Sequence, residues 1–223
     1  YIKKRFSDLS ASCLEQIEKK RDDSIKAIDK NMGTLHSFLK KNKLWDKTIF
    51  IFLSDHGANF GEHSTYFCRG GLYESSVHVP LIIHLPKIGV KKINELTQTI
   101  DIAPTILEIL REKDKNIDGK SILKTIESNK KTRDKVFFID SFCDYRMGIR
   151  TKNKKIIFTK NGECYLCGAK HNKKEMEEYD LKKDPDEYNP LVCRDDDQRK
   201  AIVQFRNYQS AMLEKYNAIL NGQ

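Results

Sequence analysis

Apolar residues recur at steps of three and four from Ile25 through Ile28, Met32 and Leu35 to Leu39. This is the spacing of one helix face, and it predicts that the first forty residues are largely helical. Asn42 and Lys43 break the pattern. Residues 48–53 then form a continuous β-branched and aromatic stretch, which predicts a strand buried on both faces. A helix leading into a buried strand is the order of an α/β sheet. A polar, glycine-rich loop is expected over residues 54–71, and a second strand over 77–85, where Pro80 puts it near an edge or a bulge.

Further along, Asp101 and Pro104 open a helix that runs through Ile106, Leu107 and Leu110, and Asp118-Gly119 reads as a turn. From about residue 135 the period changes. Short strands are expected at 136–139, 145–150, 155–158 and 179–181, with Asn161-Gly162 as a hairpin turn. The tail returns to helix on Ile202, Phe205, Met212, Leu213, Tyr216 and Leu220. The expected organisation is therefore an α/β portion, residues 1–130, followed by a small antiparallel sheet closed by a C-terminal helix, residues 131–223. No run of about 18 apolar residues is present, so no membrane-spanning helix is expected. The first residue is Tyr1, and the chain is expected to begin partway through a longer product.

The formal charge of +9 comes mostly from lysine, concentrated at residues 40–43, 152–155 and 170–174. Such a surface can attract a polyanion, but no aromatic residues interleave with it, so a solvated face is the simpler reading and no nucleic-acid partner is expected. The six cysteines, Cys13, Cys68, Cys143, Cys164, Cys167 and Cys193, are compatible with disulfides without establishing them. Cys164-x-x-Cys167 with His171 has the spacing of half a zinc knuckle, with Cys143 or Cys193 as a fourth ligand; a disulfide or free thiols is the plainer alternative.

The sharpest chemical feature is Ser54-Asp55-His56-Gly57, directly after the first strand. Ligands of open α/β sheets bind beyond the carboxyl ends of strands. A carboxylate and an imidazole there can share a cation or manage a proton. Adjacent strand side chains point to opposite faces, so both reach one ion only if the chain turns at once, which Gly57 permits. The alternative is a polar strand end with no ligand. Downstream, His63 and Arg69 stand in one loop and can bring two cationic donors to an oxyanion; the arginine fork suits tetrahedral anions.

The segment Ile49-Phe-Ile-Phe-Leu-Ser-Asp-His-Gly57, then Gly-Glu-His63, Leu-Tyr-Glu74 and Val-Pro-Leu-Ile-Ile83, resembles the second half of the sulfatase family, within the alkaline phosphatase superfamily. The resemblance continues in order through Asp-Ile-Ala-Pro-Thr105, Asp-Gly-Lys-Ser121, Gly-Ile-Arg-Thr151 and Tyr-Asp-Leu-Lys-Lys-Asp-Pro185. It implies that Asp55 and His56 help bind a divalent cation, usually calcium, with magnesium, manganese or zinc left open by the imidazole. The family's sulfate-contacting lysine falls on Arg69 when counted back from Tyr73 and on Cys68 when counted forward from His63. The loop is therefore one residue longer than the common form. His63 is placed near the leaving-group side.

The same resemblance implies a formylglycine nucleophile made within a Cys/Ser-x-Pro-x-Arg motif, yet none of the six cysteines has proline two residues on. Asp22-Asp23 lies in the amphipathic helix and is not assigned to metal. The expectation is a metal-dependent sulfuric ester hydrolase, seen as its C-terminal half and inactive alone. Its substrate would be a sulfate ester, a sulfated glycan among the candidates, and its location secretory, lysosomal or extracellular by family analogy. A phosphate or phosphonate ester hydrolase, or a phosphoethanolamine transferase, is the alternative within the superfamily. A non-catalytic remnant that binds polyanions is the alternative outside catalysis.

Overall fold

In a computed structural model the chain forms the expected α/β arrangement, a small antiparallel sheet and a C-terminal helix. The structure describes residues 10–64, 66–112, 114, 116–140, 146–159, 175–191 and 195–220. The Asn161-Gly162 turn, the Cys164, Cys167 and His171 group, Cys143, Cys193 and the lysines of 170–174 lie outside the described residues.

Helix α1 (Ala11–Lys41) begins at Ser10, whose hydroxyl accepts the Cys13 N–H at 3.3 Å. It ends at Asn42, whose side-chain amide donates to the Phe38 carbonyl at 2.8 Å. The apolar stripe read from its sequence is not covered: Ile25, Ile28 and Leu35 are 57%, 50% and 42% exposed. Trp45 links the helix to the next layer, meeting His36 edge-on at 4.4 Å and stacking on His84 at 4.0 Å.

Strand β1 (Phe50–Leu53) follows, then the short strands β2 (Asn59–Phe60) and β3 (Tyr66–Cys68), a single helical turn α2 (Glu74–Val77) and β4 (Leu81–His84). β1 and β4 pair antiparallel, Phe50 opposite His84 and Leu53 opposite Leu81. The expectation that β1 is buried on both faces is corrected here. Its residues are half-buried and Leu53 is exposed; the cluster of Leu85, Ile122 and Ile126 packs instead on Ile49, just before the strand, and on Leu81 and Ile83 of β4. The polar loop expected over 54–71 contains the β2–β3 pair.

Helix α3 (Ile102–Leu110) and the short α4 (Leu123–Ser128) are held together by Asp101, which is fully buried. Its carboxylate accepts the backbone N–H groups of Gln98 at 2.8 Å and Lys120 at 2.9 Å and is forked by Arg133. Gly119 sits at φ +90°, and a side chain there would meet the Ile100 carbonyl at 2.2 Å, so the expected Asp-Gly turn demands glycine on both counts.

The second sheet is a meander, β5 (Lys135–Asp140), β6 (Arg146–Thr151), β7 (Lys154–Thr159) and β8 (Met176–Asp180), all antiparallel in sequence order. Alternation along β6 and β7 gives two working faces. Met147 and Ile149 pack against Ala201 and Phe205 of α5 (Asp195–Leu220). On the opposite face Ile157 and Tyr179 share a core with Leu72 and Tyr73 from the α/β portion.

Candidate anion and metal site

The chain leaves β1 at Leu53 and turns at once. The Ser54 hydroxyl donates to the His56 carbonyl at 2.7 Å, and the His56 N–H donates to Asp55 Oδ1 at 2.9 Å. His56 Nδ1 lies 2.7 Å from the Gly57 carbonyl oxygen, which can only accept, so Nδ1 is the donor and Nε2 is left to a second partner. Nε2 is 3.6 Å from Asp55 Oδ2. The two neighbouring side chains therefore converge, as one shared ion requires. Asp55 is largely exposed and His56 partly so.

Gly57 owes its place to a close approach. Its N–H donates to the Ser76 carbonyl at 2.8 Å, and a Cβ at this position would fall 2.0 Å from the Ser75 carbonyl oxygen. Two residues on, fully buried Asn59 ties the same partner segment down. Its amide donates to the Gly70 carbonyl at 3.1 Å and the Ser76 hydroxyl at 2.9 Å, and its oxygen accepts from the Ser75 hydroxyl. The β2–β3 register slips between Asn59, opposite Cys68, and Phe60, opposite Tyr66. One extra residue on β3 is thus taken up in a bulge, and Arg69 follows immediately.

Arg69 is exposed and lines one cleft of about 1140 Å³ together with Asp55, His56, Ser76, His78 and Asp140. His63 takes no part in that lining. It sits at φ 54°, stacked on Tyr73 at 3.5 Å and 8° and on Tyr188 at 5.0 Å. Burial lowers its pKa to about 4, Glu62 pulls it up, and Lys155 lowers it further. The ring is neutral at pH 7 and adds no second cation beside Arg69. A group whose folded pKa is depressed contributes stability above its unfolded value of 6.5 and loses it as pH falls toward 4. We expect melting temperature to fall over that window, and His63→Phe, which keeps a stacking ring without a titrating nitrogen, to flatten the fall in a pH series of thermal melts.

The residues that sequence reasoning missed lie behind the site. Glu74 accepts a two-pronged contact from Arg150 at 2.9 and 3.1 Å and a hydrogen bond from Lys155 at 3.0 Å, and His78 stands 3.4 Å away. Lys155 also lies 2.9 Å from Glu187, whose other oxygen accepts the Glu74 N–H at 2.6 Å. Lys155 and Glu187 are essentially unexposed. Burial alone would raise the Glu74 carboxyl, but His78, Lys155 and Arg150 outweigh it and hold the group well below the usual carboxylate range. Burial pushes Glu187 up, against the pull of Lys155. The small sheet thus grips Glu74 and Tyr73 from one side while Gly57 and Asn59 grip Gly70, Ser75 and Ser76 from the other. The resemblance had marked Glu74 and Arg150 as motif positions; nothing local marked Lys155 or Glu187.

For a cation, Asp55 Oδ2 and His56 Nε2 are compatible donors, and the Gly57 carbonyl fixes the imidazole as a ligating ring is usually fixed. Among the described residues no group of three or more His, Cys, Asp or Glu side chains is arranged to hold a metal ion, so these two are a partial set. Calcium takes roughly six to eight oxygen ligands.

The α/β scaffold carries a carboxylate–imidazole pair at a strand end and an arginine that lines the same cleft, and the chain belongs to the sulfatase family, within the alkaline phosphatase superfamily. The sulfatase family model matches residues 2–112, and the model for the C-terminal region of N-sulphoglucosamine sulphohydrolase matches residues 61–215. The chain is 30% identical over 183 residues to N-acetylglucosamine-6-O-sulfatase of Bacteroides thetaiotaomicron, a match covering 75% of this chain and 30% of that protein. It is 33% identical over 179 residues to an arylsulfatase of Clostridium perfringens, covering 76% of this chain and 34% of that protein. The solved structure of BT4656 in complex with its substrate D-glucosamine-2-N,6-O-disulfate superposes with a TM-score of 0.64 at 27% identity, over 86% of this chain and 40% of that one. The chain therefore spans about a third of the length of these curated relatives.

Proposed function

We propose that this chain supplies the cation- and sulfate-contacting part of a sulfuric ester hydrolase acting on sulfated saccharides. The observation that carries the reading is the convergence of Asp55 Oδ2 and His56 Nε2, 3.6 Å apart, on the cleft that Arg69 also lines. Asp55 and His56 would hold a divalent cation, calcium by family expectation, and the ion would supply neutralisation of charge on the sulfate oxygens. Arg69 offers a planar fork to two of those oxygens and holds the sulfate in place while the electron pair of the breaking S–O bond leaves with the alcohol oxygen. Its register four residues before Tyr73 is kept by the bulge in β3. His63 has a packing role in this proposal. The 223 residues contain no Cys/Ser-x-Pro-x-Arg motif, so the proposal puts the nucleophile on polypeptide outside them. A secretory, lysosomal or extracellular location follows by family analogy. Relatives named for a glucosamine disulfate substrate and for N-acetylglucosamine-6-O-sulfate support the saccharide class.

The test is Asp55→Ala in the intact protein, assayed in parallel on an aryl sulfate and an aryl phosphate with calcium supplied. Sulfate release is expected to drop at least ~100-fold, with calorimetric calcium binding weakened in step. Unchanged sulfate release would remove the assignment, and turnover of the phosphate alone would move the chain to the phosphoester branch of the superfamily.

A further inference from the structure

One face of the meander carries a cation at each end, and the two ends are treated differently. At one end Arg150 and Lys155 are matched by Glu74 and Glu187. At the other, register places Asp140 opposite Arg146 and Arg146 opposite Thr159, so the three side chains share that face on adjacent strands. Arg146 has no solvent exposure, yet among the described residues its Nε and both Nη atoms find no hydrogen-bond partner. The Thr159 hydroxyl, on a residue 3% exposed, finds none among them either. The Asp140 carboxylate pairs with Arg146 Nη1 at 3.7 Å, an ion-pair distance beyond hydrogen-bond length.

Asp140 balances the Arg146 charge as an ion pair, but buried polar groups in folded proteins are nearly always hydrogen-bonded as well. A structural ion cluster would resemble the Glu74 end, closed and matched. The Arg146 end instead keeps its donors unspent, and Asp140 lines the same cleft as Asp55, His56 and Arg69.

We propose that Asp140, Arg146 and Thr159 form a sugar-recognition subsite, which takes neighbouring hydroxyl groups of the ring that bears the sulfate. The chemistry selects hydroxyls over a second anion. Arg146 and Thr159 offer donors while Asp140 offers an acceptor, so the set is balanced in charge and a carboxylate or sulfate would meet Asp140 as a like charge. A hydroxyl accepts from the guanidinium and donates to the carboxylate at once. Asp140 is the member that borders the cleft; Arg146 and Thr159 stand behind it, and ligand entry brings the guanidinium into contact. This subsite rests on the saccharide reading proposed above.

The experiment compares Arg146→Met and Thr159→Val with the wild type of the intact protein on two sulfate esters, glucosamine 6-sulfate and 4-nitrophenyl sulfate, the second lacking sugar hydroxyls. A site built to bond hydroxyls loses discrimination steeply when its polar partner goes. kcat/KM on the sugar ester is expected to fall about 100-fold for Arg146→Met and about 10-fold for Thr159→Val, with the aryl ester nearly unchanged. Equal losses on both esters, or loss on neither, overturn the subsite. Saturation-transfer NMR with unsulfated glucosamine reads the same contact without turnover: ring-proton signals are expected in the wild type and reduced in both variants. If no sulfate ester is hydrolysed yet this signal is present and falls in the variants, the enzymatic reading fails and the subsite stands. If the wild type gives no signal, the subsite is overturned. Should Arg146→Met not fold by circular dichroism, the isosteric Thr159→Val decides both measurements.

Discussion

Lys155→Met is expected to destabilise the protein by about 3–5 kcal/mol, the usual cost of removing one partner of a buried charge pair. For a chain of this size that corresponds to a melting temperature lower by roughly 6–20 °C. The reason lies in what is left behind. Lys155 has no exposure and stands within 3.0 Å of two carboxylates, Glu74 and Glu187. Glu74 retains Arg150 and His78, but among the described residues Glu187 retains only the Glu74 N–H and is 1% exposed. Adding Glu187→Gln to the methionine variant removes the stranded charge and should recover part of the loss. The variant's deficit should also narrow in acid. Burial already raises the Glu187 carboxyl; losing the lysine raises it further, and the penalty of keeping it ionised disappears as pH falls through its folded pKa. Calorimetric melts of both variants across pH check all three expectations. A deficit under about 1 kcal/mol, in the range of an exposed pair, would mean that the cluster is not sealed from water.

Gly57→Ala is the second large effect. The added Cβ meets backbone on the facing segment, with Ser75 O at 2.0 Å, Ser75 C at 2.9 Å and Ser76 Cα at 3.2 Å, and no flexible side chain can step aside. Either the strand-end loop or the Ser75–Ser76 backbone must move, and the 2.8 Å bond from Gly57 N–H to Ser76 is lost. Overpacking of this kind costs about 1–3 kcal/mol. Under the proposed function the effect on rate exceeds the effect on stability, because the displaced loop carries Asp55 and His56, the proposed cation ligands. A shift near 1 Å at reacting groups costs about 100-fold in rate. The check is kcat/KM on a sulfate ester beside a thermal melt; wild-type values in both would show that the two backbones part without consequence.

The features legible in the sequence were those written in local periods. The spacing of Ile25 to Leu39 gave α1, alternation gave the four strands of the meander within one to three residues, and Asp118-Gly119 gave a turn that the φ of Gly119 requires. The strand-end Asp55–His56 pair was legible because the run before it and the glycine after it are local too. What escaped was fixed by partners far along the chain. Glu74 meets Lys155 and Glu187 across 81 and 113 positions. In the sequence Lys155 belongs to a lysine-rich stretch that reads as a solvated face, whereas in the fold it is a sealed core cation. Asn59 looks like a loop residue and is a buried clamp for the same reason. His63, read beside Arg69 as a second cation, is turned by a left-handed backbone onto Tyr73, which nine residues of spacing do not announce. Asp22 and Asp23, left unassigned, are paired on the helix surface with Arg21 and Lys26.

Tyr73 and Leu72 complete a core whose other half, Ile157 and Tyr179, belongs to the meander. That shared packing has a consequence for cooperativity. Local openings of a protein follow contiguous packed units, and this unit runs across the junction between the α/β portion and the small sheet. Amide protection at Gly57 and Ser76 should therefore rise and fall with protection at Ile157 and Tyr179. Stabilising mutations placed anywhere on the outer face of the meander would then slow hydrogen exchange at the strand-end loop, and a lesion in the distant sheet would be inherited by the segment that presents Arg69.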